Sequence, residues 1–66
     1  MYILIVKYKG KRKSYYVNYL MDERFGKKPL RLLGRSSKLK EARERAEKQM
    51  REWQASEIRY KEGGLK

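Results

Sequence analysis

Sixty-six residues bound this chain to one small domain. A chain of that length buries only about 60% of its unfolded surface, which leaves little room for a deep catalytic pocket. The absence of His and Cys excludes disulfides, Cys/His zinc sites, thiol nucleophiles and Ser-His-Asp triads. Nineteen Lys and Arg against eight Asp and Glu leave a net charge of +11 and a pI near 10.1, which points to a polyanionic partner.

The charge is uneven. Residues 1–35 hold ten bases and two acids, whereas residues 36–54 hold six and four. The first half is therefore the polyanion-facing half, and the second reads as scaffold. Met1-Tyr-Ile-Leu-Ile-Val6 is too short for a membrane span and lacks the flanks of a signal peptide, so the expectation is a cytoplasmic, intracellular protein with no membrane partner.

In chain order, residues 2–8 and 14–21 are rich in β-branched and aromatic types and read as two strands. Gly10-Lys11 suits a two-residue hairpin turn. That turn pairs Val6 with Tyr15, Leu4 with Val17 and Tyr2 with Tyr19 on one apolar face, with Tyr8 at its end. The other face carries Lys7–Ser14, Ile5–Tyr16 and Ile3–Asn18. Residues 22–29 form a loop with Gly26 and Pro29 as breakers. Asp22-Glu23 reads as a polar turn rather than a metal pair, and Gly26-Lys27-Lys28 lacks the spacing of a phosphate loop. Residues 30–35 are a third strand, with Leu30 and Leu32 facing the core, Arg31, Leu33 and Arg35 facing outward, and Gly34 marking a bulge or the strand's end.

Residues 37–54 are a helix, N-capped by Ser36 or Ser37. Leu39, Ala42, Ala46, Met50 and Trp53 recur at intervals of three and four and make one apolar stripe. The two alanines permit close approach to the sheet. The stripe is expected to pack on Leu4, Val6, Val17, Tyr19 and Leu32. Residues 56–61 either extend the helix or turn back as a short fourth strand with Ile58 and Tyr60 inward, the strand being preferred. Residues 62–66 read as a tail. The fold class is α+β: a three-stranded antiparallel meander with one helix packed on one face.

The uncovered face would then present Lys7, Lys9, Tyr16, Asn18, Arg31 and Arg35. The hairpin tip adds Lys11, Arg12 and Lys13, and the loop adds Lys27 and Lys28. Five bases within the seven residues Lys7 to Lys13 repel one another unless an anion is near. Asn18, Arg31 and Arg35 have planar groups suited to bidentate contacts with base edges, whereas the lysines act as point charges on phosphates.

The basic hairpin, third strand and helix opening at Ser37-Lys-Leu-Lys-Glu-Ala42 resemble the arm-type DNA-binding domain of tyrosine integrases and the AP2-type domain of plants. Gly10-Lys-Arg-Lys13 is the other matching piece. The resemblance implies a sheet that enters the major groove with a helix packed behind it. Lys7-Tyr-Lys-Gly-Lys11 is also similar to the opening hairpin of small archaeal chromatin proteins. The expected function is non-enzymatic nucleic-acid binding, with duplex DNA as partner, no catalytic residues, no cofactor and no metal. The alternative is a small inhibitor or adaptor of the kind made by phages and archaeal viruses, such as an anti-CRISPR protein or polymerase inhibitor. It would bind an acidic protein or a ribonucleoprotein. A monomer and a homodimer are both compatible with the sequence.

Overall fold

The computed structural model describes residues 1–63. Strands β1 (Tyr2–Lys9) and β2 (Ser14–Met21) form the expected hairpin. Its register differs by two residues from the expected one: Val6 pairs with Val17, Leu4 with Tyr19 and Ile5 with Asn18. The turn is four residues long, Gly10 to Lys13, and is closed by the Gly10 N–H donating to the Lys13 carbonyl at 2.9 Å. A Cβ on Gly10 would lie 2.6 Å from that carbonyl oxygen, so the close approach requires glycine. A two-residue shift keeps each side chain on its expected face.

The loop after β2 contains a 3-10 turn, Glu23–Phe25, capped by Asp22, whose Oδ1 accepts from the Arg24 N–H at 3.0 Å. Strand β3 (Arg31–Ser36) pairs antiparallel with β2. The ladder slips between Asn18 and Tyr19, so Gly34 faces Asn18, Leu32 faces Tyr19 and Leu33 is the extra residue of a bulge. Helix α1 (Leu39–Glu52) lies inside the predicted span. Its N-cap is Lys38, without a side-chain cap bond, rather than a serine. Ser36 cannot cap because it is the last rung of β3, paired with Tyr16 and buried.

A fourth strand, β4 (Ile58–Glu62), follows the helix and pairs parallel with β1. The sheet is therefore mixed, in the order β3-β2-β1-β4. The tail expected from residue 62 starts later: Glu62 belongs to β4, and the Gly63 N–H donates to the Lys7 carbonyl at 3.1 Å. The rest of that segment, 64–66, lies outside the described residues. Among the described residues, no helix is long and apolar enough to cross a membrane.

The helix lies on the face opposite to the expected one. Ile3, Ile5, Leu20, Ala42 and Ala46 form the core between α1 and the sheet, with Tyr16, Leu33, Leu39, Met50, Trp53 and Ile58 packed around it. Leu4, Val6 and Met21 belong instead to a second cluster on the other face, covered by Tyr2, Tyr8 and Tyr19. The reason is topological. Strands β3 and β4 both run parallel to β1, so β3-α1-β4 is a crossover connection, and such connections are almost always right-handed. The Ile3 N–H points towards β4, donating to the Glu57 carbonyl at 2.9 Å. For L-residues, a right-handed crossover to that side places the helix over Ile3 and Ile5.

Candidate nucleic-acid interface

The face opposite α1 is lined by alternate residues of three strands: Tyr2, Leu4, Val6 and Tyr8 on β1, Tyr15, Val17, Tyr19 and Met21 on β2, and Leu32 and Arg35 on β3. On β4, Arg59 lies opposite Leu4 and Lys61 opposite Val6. Exposed aliphatic side chains would be costly here. The tyrosines solve this by lying over them, so that Leu4, Val6, Val17 and Met21 are buried with no helix above.

The tyrosines hold one another in place. Tyr8 and Tyr15 stack with ring centroids 5.3 Å apart, and the Tyr8 and Tyr19 hydroxyls are hydrogen-bonded at 2.8 Å. Burial, reinforced by the Tyr8 bond, pushes the Tyr19 pKa up to about 12, so this phenol stays neutral throughout the ordinary pH range. Two guanidinium groups lie on the layer: Arg35 over the Tyr15 ring and Arg59 over the Tyr2 ring, each 4.0 Å from the centroid.

These two arginines differ in electrostatic surroundings. Arg59 is neutralised by Glu23, at 2.5 Å, and by Glu57. Arg24 is likewise taken by Asp22 at 2.9 Å, and that pairing holds the Asp22 carboxyl below its usual range. Arg35 is not among the described ion pairs, and neither are the hairpin bases. Bases outside the described ion pairs therefore stand at both ends of the face, Arg35 and the hairpin bases at one and Lys27 and Lys28 at the other. At the far end, Lys27 borders a shallow cleft of about 270 Å³ together with Tyr2, Leu4, Met21 and Arg59.

The residues expected to bind nucleic acid divide into three groups. Lys9, Lys11, Arg12 and Lys13 are exposed at the hairpin tip, and Lys27 and Lys28 are exposed in the second loop. Arg35 lies on the open face. Lys7, Tyr16, Asn18 and Arg31 lie on the helix side and leave the candidate face. Tyr16 packs against the core, and the Arg31 guanidinium lies 5.2 Å from the centre of the Trp53 ring. Asn18 is only 2% exposed; its Nδ2 donates to the Ala42 carbonyl and to Gln49 Oε1, both at 3.0 Å. Among the described residues its Oδ1 has no hydrogen-bond partner.

Leu30 and Leu32, expected in the core, are 43% and 60% exposed; Leu33 packs in the core because alternation from Arg31 puts it on the side the helix covers, and the bulge then turns Arg35 to the open face. The residues of the candidate face that sequence reading missed are the tyrosines that set its surface, above all Tyr15. The signal was their shared alternation with Val6 and Val17, which was read as core alone. No family model matches the chain. No curated protein or solved structure matches it either.

Proposed function

We propose that this chain is a non-enzymatic nucleic-acid-binding module that sets the open face of its sheet against duplex DNA. What carries the reading is the combination on one surface of an uncovered strand face and cationic loops at both its ends. The four strands span about 14 Å between outer axes, against a major-groove width of about 12 Å, so the part of the face formed by β3, β2 and β1 would enter the groove with β4 at its rim. The hairpin bases Lys9, Lys11, Arg12 and Lys13 and the loop bases Lys27 and Lys28 would grip phosphates. Arg35, oriented by Tyr15, is the planar donor fork suited to paired bonds with phosphate oxygens.

The test is fluorescence anisotropy with duplex DNA, duplex RNA and single strands, after selection of a preferred duplex from random sequence. Duplex DNA should bind tightest. Arg35→Ala should weaken the selected and the random duplex by similar factors, as loss of a phosphate contact does, and Arg31→Ala on the helix side should leave both affinities unchanged. No binding of any nucleic acid at low salt would end this reading.

A second reading has its own observation. Leu30 and Leu32 are exposed, and β3 is an edge strand of the sheet. Exposed apolar side chains on an open edge suit a protein partner, as in an inhibitor or adaptor. That reading takes over if the nucleic-acid panel is silent.

A further inference from the structure

We propose that the cleft between the start of β2 and the β3–α1 connection is a preformed site for a phosphate oxyanion. It has a volume of about 340 Å³ and is lined by Lys13, Ser14, Tyr15, Arg35, Ser36 and Ser37, together with Gly10. The inference rests on the nucleic-acid reading only for its ligand, a backbone phosphodiester; the anion chemistry stands on the residues themselves.

Three observations converge on it. First, the lining contains two cations, three serine hydroxyls and the Tyr15 phenol but no carboxylate, so every charged group there attracts an anion. Neither Lys13 nor Arg35 is in a described ion pair, whereas Arg24 and Arg59 each hold an acid. Second, Arg35 is already oriented. Its guanidinium lies on the Tyr15 ring, which Tyr8 backs from the neighbouring strand. A stacked guanidinium keeps its N–H edges free and loses little rotamer freedom when it forms paired bonds to two phosphate oxygens. Third, the backbone is pinned on both sides. Gly10 closes the hairpin onto the Lys13 carbonyl, and Arg45 of α1 donates to the Arg35 carbonyl at 2.9 Å. That bond also brings a third cation near the cleft. The site thus joins the hairpin tip, the open face and the helix layer.

The experiment follows backbone amide NMR shifts of the full chain under three additions: inorganic phosphate, a short DNA duplex and phosphatidylglycerol vesicles. The variants are Lys13→Gln/Arg35→Gln and, as a charge-matched control, Lys27→Gln/Lys28→Gln. All four positions are exposed, so both proteins should keep the parent spectrum elsewhere. Phosphate should shift residues 13–15 and 35–37 selectively, and chloride at equal ionic strength should not. The first variant should lose about tenfold in duplex affinity, as expected for deleted charge-assisted bonds, and the control much less.

Shifts spread evenly over all lysine-bearing loops, or equal losses in the two variants, would overturn the site. If duplex binds while the cleft amides stay silent, the site falls and the nucleic-acid reading stands. If phosphate binds there but no nucleic acid does, the anion site stands and the nucleic-acid reading falls. Vesicles shifting these amides more than duplex at equal phosphate would assign the site to a lipid headgroup and overturn its role in holding a nucleic-acid backbone.

Discussion

Gln54 has φ of 55°, a left-handed conformation that costs an L-residue other than glycine about 1 kcal/mol or more. The chain accepts it because the end of α1 is closed around it. The Ala55 N–H donates to the Met50 carbonyl at 2.9 Å and the Gln54 N–H to the Arg51 carbonyl at 3.4 Å. This pair of bonds is a Schellman motif, and Ala55 and Met50 both pack on the core beneath it. The motif ends the helix and turns the chain back so that β4 can run beside β1. Gln54→Gly should remove the strain and stabilise the domain by about 0.5–1 kcal/mol, at roughly 4–8 °C in melting temperature per kcal/mol. Thermal unfolding followed by circular dichroism measures it, and an unchanged or lower midpoint would show that Gln54 makes a compensating contact.

Among the elements, the strands and helix were legible in the sequence because each has a strong local pattern: β-branched and aromatic runs in β1 and β2, and the stripe Leu39, Ala42, Ala46, Met50 and Trp53 in α1. The bulge was legible only in part: Gly34 suggests a bulge or the strand's end, and the strand runs on to Ser36 with Leu33 as the extra residue. Which face the helix covers was not. In β1 both alternate sets, Ile3 with Ile5 and Leu4 with Val6, are apolar, so periodicity cannot choose between them. In β2 the set Tyr15, Val17 and Tyr19 is the more apolar of the two, so composition favours the tyrosine side. Two long-range facts decide it the other way: the right-handed crossover fixed by β4, and the pairing of Asn18 with Ala42 and Gln49. Gln49 also donates to the Leu33 carbonyl at 3.4 Å, so one amide pair ties α1 to β2 and to the bulge of β3. Much of the candidate site turned with the face. The hairpin and loop lysines are exposed as expected because they are solvated wherever the helix lies, whereas Asn18 and Arg31 fall on the helix side. Asn18→Ala should therefore cost about 1–3 kcal/mol of stability by leaving Gln49 without its donor. It should leave duplex affinity and sequence preference unchanged. Chemical denaturation and anisotropy on the same protein separate the two effects, and a normal fold with lost sequence preference would restore Asn18 to the interface.

For the whole molecule, the net charge of +11 acts on folding and on binding with opposite salt dependence. Bases crowded at the hairpin tip and in the second loop repel one another in the free protein, and added salt screens that repulsion. The free domain should therefore melt at a higher temperature as salt rises. Binding should move the other way, because a protein that neutralises phosphates releases counterions from DNA. With about 4–6 contacts, log K against log salt should fall with a slope near −4 to −5. A loss of binding in salt then cannot be put down to unfolding, since the fold is gaining stability over the same range. The slope also reports which side of the molecule meets the DNA. Replacing Lys9, Lys11, Arg12 and Lys13 with glutamine should make it shallower by about 0.9 for each lost phosphate contact. Replacing Lys40, Arg43 and Lys48, exposed on α1, removes comparable charge from the helix layer, away from the open face, and should lower affinity slightly with the slope kept. Equal flattening by both sets would mean that DNA does not distinguish the two sides, and the open sheet face would lose its claim to be the interface.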